Sequence, residues 1–355
     1  MASIRLLERT LADNVAWNKA RINFLAKFLI ALIQVRTVNL TEIASVFPGR
    51  AKEASHYKRI QRFLRFFEIS YAGIAVLLVA LIGVPSPWVL TLDRSDWQLG
   101  QTPLNVLVLG IVYKGVAIPV LWTILEKKGN SNTAERIAIM AEFIQLFGGS
   151  SILYLCADRE FIGRTWFAWL RQNGIDFRIR VRENTQMPNG RGELVEAKRL
   201  FRGQAINRQS VFDKPPCIWG LELWVSGMRL ANGEHLMLVA PNYSATAIEG
   251  YAKRWQIETL FGCLKSRGFR LEETHVIEAE RLKKLIALLA LAFCWAHVVG
   301  EWLSQRRALK TKKHGRFAKS IFRYGLNHLR RILCNLSDRF QQIAFRQVIQ
   351  LLSCT

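Results

Sequence analysis

The sequence predicts an α/β protein: a mixed β-sheet with helices on its faces, an inserted and mostly β subdomain, and helical regions at both ends. Three observations predict it. From Arg21 to Val35 apolar residues recur at helical spacing. From Trp88 onward, short and nearly continuous apolar runs alternate with capped helical segments, the pattern of a buried sheet with crossover helices. After Ala247 the pattern returns to helix and stays there to the end. The 355 residues suffice for roughly two domains of about 150 residues. Half of them are apolar, enough for a sizeable core, which excludes a disordered basic tail.

The predicted elements follow in order. Residues 1–80 read as a helical domain. Phe24, Leu25, Phe28, Leu29, Leu32 and Ile33 line one helix, and Asn39 with Glu42 opens a short second one as an N-cap and its capping-box partner. Pro48-Gly49 breaks the chain, and a basic segment follows from Lys52 to Arg65, containing His56, Tyr57, Lys58, Arg59 and Arg62. Short helix, turn and basic helix match a helix-turn-helix-like DNA reader; a small bundle with a solvated basic face is the other reading. Trp88–Leu92, Asn105–Tyr113, Val116–Thr123, Ser151–Cys156 and Phe177–Val181 are predicted strands, the second and third joined by Lys114-Gly115. Asn132 and Glu135 cap a helix that stops at Gly148-Gly149, and Thr165–Arg171 forms another. Residues 81–275 thus make one domain, interrupted at about 184–240 by a β-rich insertion. Residues 276–355 form a basic helical C-terminal region. No acid lies between Glu301 and Asp338, while Arg306, Arg307, Lys310, Lys312, Lys313, Arg316, Lys319, Arg323, Arg330 and Arg331 accumulate. That segment is either a solvated helical tail or a phosphate-tracking surface.

Lys plus Arg number 50 against 27 Asp plus Glu, a formal charge of +23, with pI near 10.3. Such an excess requires a polyanionic partner, nucleic acid or an anionic membrane surface. The apolar stretches Ile74–Val84 and Leu285–Ala296 are shorter than the roughly 18 residues of a membrane span, so core helices are expected and no membrane. The start has no secretory h-region. The six cysteines, 156, 217, 263, 294, 334 and 354, include no Cys-x-x-Cys pair and are expected as reduced thiols of a cytoplasmic protein. The histidines are isolated and no phosphate-binding Gly-x-x-x-x-Gly-Lys loop occurs, which argues against zinc and against ATP.

Asp93 and Asp158 each stand where an apolar strand run stops, the place where sites form in α/β sheets. Asp96 is expected past the strand, in a turn. Glu160 is expected either to orient a ligand or to cap the next helix. Downstream, Tyr251, Arg254, Glu258 and Lys265 would fall within an arc of about 60° on one continuous helix. Ile257, Leu260, Phe261 and Leu264 take the buried side. Gly262 lies beside the polar stripe, where a missing side chain would let a DNA backbone approach.

The spacing Tyr251-x2-Arg254-x3-Glu258-x6-Lys265 resembles the Y-R-E-K signature of bacterial insertion-sequence DDE transposases of the insertion-sequence-four group. Leu92-Asp93-Arg94-Ser95-Asp96-Trp97 resembles their first catalytic block and Ala157–Gly163 their second, so the resemblance spans about residues 20–275. It implies a ribonuclease H-like core with Asp93, Asp158 and Glu258 as catalytic carboxylates. They would hold two Mg²⁺ ions, with Mn²⁺ as a substitute. It further implies that Tyr251, Arg254 and Lys265 grip phosphates of double-stranded DNA at the terminal inverted repeats. The reaction would pass through a hairpin and then join target DNA, within a homodimer. A hairpin needs a displaced base held by stacking: Trp255 is the first candidate, and Trp219 or Trp224 the looser ones. The implied setting is bacterial, cytoplasmic and nucleoid-associated. A catalytically silent protein occupying transposon ends is the alternative, and a nuclease that cuts without joining is a third.

Overall fold

A computed structural model describes residues 2–312 and 317–353; Lys313, Arg316 and Cys354 lie outside the described residues. The chain divides into two compact units, one drawn from residues 1–84, 96–104 and 260–355, the other from 85–95 and 105–259.

The first unit is helical and opens with α1 (Ala2–Ala12), α2 (Lys19–Val35), α3 (Leu40–Ser45), α4 (Glu53–Phe66) and α5 (Tyr71–Ile82). Local chemistry marks their starts. Asn18 accepts the Arg21 N–H, Asn39 the Thr41 N–H and Ser70 the Gly73 N–H, each meeting a donor that the first turn leaves unpaired. Phe24 of α2 stacks on Phe63 of α4 with ring centroids 4.1 Å apart. The inward face of α4 is His56, Ile60, Phe63 and Leu64, so His56 is a core residue packed 5.3 Å from Phe47. Lys58, Arg62, Arg65 and Phe66 face outward, leaving α4 a basic, solvated face.

The second unit is built on a sheet. Its elements are β1 (Trp88–Leu99) and β2 (Thr102–Tyr113), whose adjoining ends at 96–104 belong to the first unit, then β3 (Val116–Ile124), α6 (Thr133–Phe147), β4 (Ile152–Ala157), α7 (Arg164–Gln172) and β5 (Phe177–Val181). The insertion adds β6 (Gln186–Pro188), β7 (Leu194–Glu196), α8 (Ala197–Leu200), β8 (Gln209–Val211), β9 (Cys217–Ile218), β10 (Leu221–Glu222), β11 (Trp224–Arg229) and β12 (His235–Ala240). Next come α9 (Ala247–Ala252) and α10 (Trp255–Leu264), the second running on into residues of the helical unit. Strand order is β3-β2-β1-β4-β5-β12-β11-β8. β4 lies parallel to both β1 and β5, whereas β2 and β3 are antiparallel. The first five strands have the mixed order of a ribonuclease H-like core, the fold class expected. The capping box at Asn132 and Glu135 is present.

Two local expectations are corrected. β1 does not stop at Leu92 but runs to Leu99, so Asp93 and Asp96 are strand residues and Asp96 is not in a turn. What ends at Leu92 is the unbroken burial: Asp93 and Arg94 are partly buried, Ser95 is buried again and Asp96 is exposed. The polar second half stays extended because a strand of equal length, β2, lies beside it. The insertion is β-rich as expected, but it is not a separate lobe. β12 pairs antiparallel with β5, β11 with β12 and β8 with β11, covering an edge that β5 would otherwise leave unpaired.

The helical unit closes with α11 (Ala279–Arg306), α12 (Ile321–Cys334) and α13 (Arg339–Gln350). At 28 residues α11 exceeds the expected apolar stretch and is long and apolar enough to cross a membrane, yet 89% of its most apolar window is buried. A 12-residue apolar run extends into a longer helix because Glu280, Arg281 and Lys283 at one end are helix-compatible and largely outward. It packs on α12 at backbone contact. A Cβ on Gly325 would fall 1.8 Å from the Ala296 carbonyl oxygen, and one on Gly300 2.0 Å from that of Ile321. Only glycine fits at either point.

Candidate active site

Parallel register brings the two aspartates together. Leu92 pairs with Ala157, so Asp93 on β1 and Asp158 just past β4 are the next residues along adjacent strands. The third acid comes from the helices above them, and here the predicted geometry changes. The chain from Tyr251 to Lys265 is not one helix: α9 ends at Ala252, Lys253 and Arg254 form a turn, and α10 starts at Trp255. The turn is tight, with the Arg254 N–H bonded to the Tyr251 carbonyl and the Ile257 N–H to that of Arg254. Tyr251, Arg254, Glu258 and Lys265 therefore do not share a helical face. Tyr251 is buried with Leu236, Leu238, Ala247 and Ile248, and Lys265 follows the end of α10.

Arg254 is the hub of the cluster. Its Nη1 donates to Asp93 Oδ2 at 3.2 Å and its Nη2 to Glu258 Oε1 at 2.5 Å, with only 7% of the side chain exposed. The Tyr251 hydroxyl donates to Asp158 Oδ1 at 3.3 Å. Asp93 Oδ1 accepts the Arg94 N–H at 2.8 Å. Arg94 in turn pairs with Glu160 at 3.3 Å and donates to Asn105. Glu160 thus ties the two aspartate blocks together rather than capping α7, which begins at Arg164 behind Gly163. Burial pushes the Asp93 carboxyl up to about 7; nearby Glu160 and Asp158 add to this, and the Arg94 N–H and the Arg254 charge only partly offset it. Burial also raises the Tyr251 hydroxyl above its ordinary value, with Asp158 adding to the effect.

A glycine outside the predicted set seats these helices. A Cβ on Gly250 would fall 1.4 Å from Arg178 Nη1, and the Arg178 guanidinium lies 3.9 Å over the Tyr154 ring. Tyr154 and Cys156 reach the Gly250 carbonyl at 3.5 and 3.6 Å. This close seat holds α9 on the sheet and sets Tyr251 against Asp158. The only sequence signal was a glycine immediately before the tyrosine of the matched spacing.

The remaining predicted residues divide. Trp255 is 56% exposed at the start of α10. Trp219 packs 5.7 Å from Phe167, and Trp224 lies edge-on to Tyr243 at 5.1 Å. Lys265 belongs to the helical unit, where it pairs with Glu272 at 2.8 Å, donates to the Asp96 carbonyl at 3.3 Å and lies 5.4 Å over the Trp97 ring. Gly262 is half-exposed beside the Arg267 side chain, whose Nε a Cβ there would meet at 3.0 Å.

Among the described residues no three acidic, histidine or cysteine side chains form a ready metal cage. Chemically the donor set nevertheless suits a hard divalent cation, being all carboxylate oxygen. The raised Asp93 reflects burial of its carboxyl, and Arg254 beside it and Arg94 on Glu160 are the cations paired with the acids of the cluster.

A family model for the transposase DDE domain matches residues 87–295, more than half of the chain. The chain belongs to the DDE transposase family. It acts as a transposase on DNA, and transposases of this family normally use divalent metal ions. No curated protein matches it. Among solved structures, this transposase is similar to the piggyBac transposase in a cryo-EM synaptic complex with hairpin DNA. That likeness has 12% identity and a TM-score of 0.46, over 92% of this chain and 76% of the other.

Proposed function

We propose that this transposase belongs to the insertion-sequence-four group and moves its element by cut-and-paste transposition. It binds terminal inverted repeats, cleaves the ends through a hairpin, and joins the 3′ ends to target DNA. The observation that carries this reading is the convergence of Asp93 and Glu258 on Arg254 beside Asp158, in a chain of charge +23. Asp93, Asp158 and Glu258 would hold the two Mg²⁺ ions, or Mn²⁺. Bound there, the ions neutralise phosphate charge and provide an oxygen nucleophile at neutral pH. Tyr251 orients Asp158, and Arg254 turns from the carboxylates to a DNA phosphate. The outward face of α4 in residues 1–80 and the basic 306–331 segment bind DNA phosphates, and residues 81–275 carry the catalysis. The working form is a homodimer in the bacterial cytoplasm, associated with the nucleoid.

The decisive experiment incubates the purified protein with Mg²⁺ and DNA carrying the element's terminal repeats. Hairpin ends and joined products are expected. Binding without any strand cleavage would instead establish the silent end-binding protein.

Two variants probe the parts. Arg254→Met should raise Mn²⁺ affinity of the DNA-free protein about tenfold, read by electron paramagnetic resonance, and weaken DNA binding. At an effective dielectric constant near 20 a unit charge about 4 Å away is worth about 4 kcal/mol, and the half-exposed Glu258 reduces this toward the 1.4 kcal/mol of a tenfold change. An unchanged or weaker Mn²⁺ affinity would remove Arg254 from the role of competing cation. Trp255→Ala should impair hairpin formation more than the first nick, because only the hairpin needs a stacked, displaced base. Equal loss at both steps counts against stacking.

A further inference from the structure

β5 carries inward Phe177, Ile179 and Val181 in alternation with Arg178 and Arg180, and Arg182 continues the series. Alternation places these arginines on one sheet face about 7 Å apart. Arg178 is already engaged by Tyr154 and the Thr246 carbonyl. Arg180 and Arg182 instead join Arg159 and Lys198 around a cavity of about 490 Å³, whose acids are Glu183 and Glu234. Of these acids Glu183 is occupied, accepting the His235 N–H at 2.7 Å, while Lys198 pairs with Glu196 at 3.2 Å. Among the described residues Arg159, Arg180 and Arg182 make no ion pair and no side-chain hydrogen bond.

The three guanidinium groups and Lys198 outnumber the two carboxylates of the concavity, Glu183 and Glu234, which leaves it with net positive charge. Arg159 follows Asp158 directly, and Ala157 pairs with Ile179 across β4 and β5, so Asp158 and Arg180 are the next residues along adjacent strands and the cavity's arginines begin beside Asp158. Guanidinium is the group suited to bidentate phosphate contacts. A concave site with a single file of arginines at strand spacing suits one extended DNA strand rather than a duplex.

We propose that this cavity is a DNA subsite distinct from the Arg254 cluster, taking the phosphodiesters of a single strand that leads away from the cleaved position. The proposal rests on the transposase reading. The test compares a blunt duplex with the same duplex bearing a single-stranded extension, binding being followed by fluorescence anisotropy over a range of salt concentrations. For the wild-type protein the extension should tighten binding and steepen the dependence of log Kd on log salt. The double variant Arg159→Ala/Arg182→Ala should lose about 1.4 of that slope on the extended DNA, about 0.7 for each single-strand contact, and none on the blunt duplex. Arg159→Lys/Arg182→Lys should restore it. Both side chains are exposed, so an unchanged thermal midpoint will show that the variants fold. Equal loss on both DNAs, or no loss on either, overturns the subsite while leaving the transposase reading intact. A wild-type protein that binds neither DNA overturns both.

Discussion

Glu258→Gln should abolish strand cleavage and leave end binding intact. The amide keeps the length and shape of the side chain, and its carbonyl oxygen can still accept from Arg254 Nη2. What it loses is the negative charge that a hard divalent cation needs from its ligand. A loss of at least about a thousandfold in single-turnover cleavage is expected, equivalent to about 4 kcal/mol of transition-state stabilisation. Stability should change little. Glu258 is 53% exposed and lies in the first turn of α10, where a carboxylate contributes about 0.3–1 kcal/mol through the helix dipole. Cleavage products and mobility-shift binding, measured on the same preparation, separate the two effects. Substantial cleavage by Glu258→Gln would mean that the third carboxylate is another residue.

The outlines of this site were legible in the sequence because burial leaves a local trace. Trp88–Leu92 and Tyr154–Ala157 are nearly continuous apolar runs buried on both faces, and Asp93 and Asp158 are the first residues after them. The capping box at Asn132 and Glu135 is likewise a local signal, and it forms. The helix break at Lys253-Arg254 left no such trace. Nothing from Tyr251 to Phe261 is a glycine or proline, and the residues are compatible with one helix. The break is made by tertiary structure: the buried Arg254 must reach Asp93, 161 positions away, while Tyr251 stays in the core with Leu236 and Leu238. Helical-wheel arithmetic across that break therefore misplaced Tyr251 relative to Arg254 and Glu258. How the β-rich insertion attaches to the sheet left no trace for a related reason. Its strands are short and rich in turns, and pairing with β5 is decided by an open sheet edge that no local pattern records. Gly250 was missed because its role depends on Arg178 and Tyr154, which come from other strands.

Asp93→Asn should stabilise the metal-free protein at pH 8 while removing an acid that the proposed chemistry requires. The direction follows from the carboxyl's rise from 3.8 to about 7 on folding, caused first by burial. A group with a raised folded pKa holds its proton more tightly in the folded chain than in the unfolded one. Below about pH 4 Asp93 is protonated in both states and contributes nothing either way. As pH rises through the interval to 7, the unfolded chain ionises freely while the folded chain does so against a penalty, and stability falls. Asparagine removes that penalty and cannot ionise. A shift of about three units is a ceiling of about 4 kcal/mol, and losing part of the Arg254 pairing reduces it, so about 2–4 kcal/mol is expected at pH 8. Chemical denaturation in the presence of a chelator, at pH 4 and at pH 8, measures the difference. Added Mn²⁺ should reverse the order at pH 8, because the wild-type carboxylate gains a cation partner that the amide binds poorly. A variant less stable than wild type at pH 8 without metal would show that the Arg254 pair, not burial, dominates Asp93. The acid would then be a structural counter-ion held in place by the guanidinium.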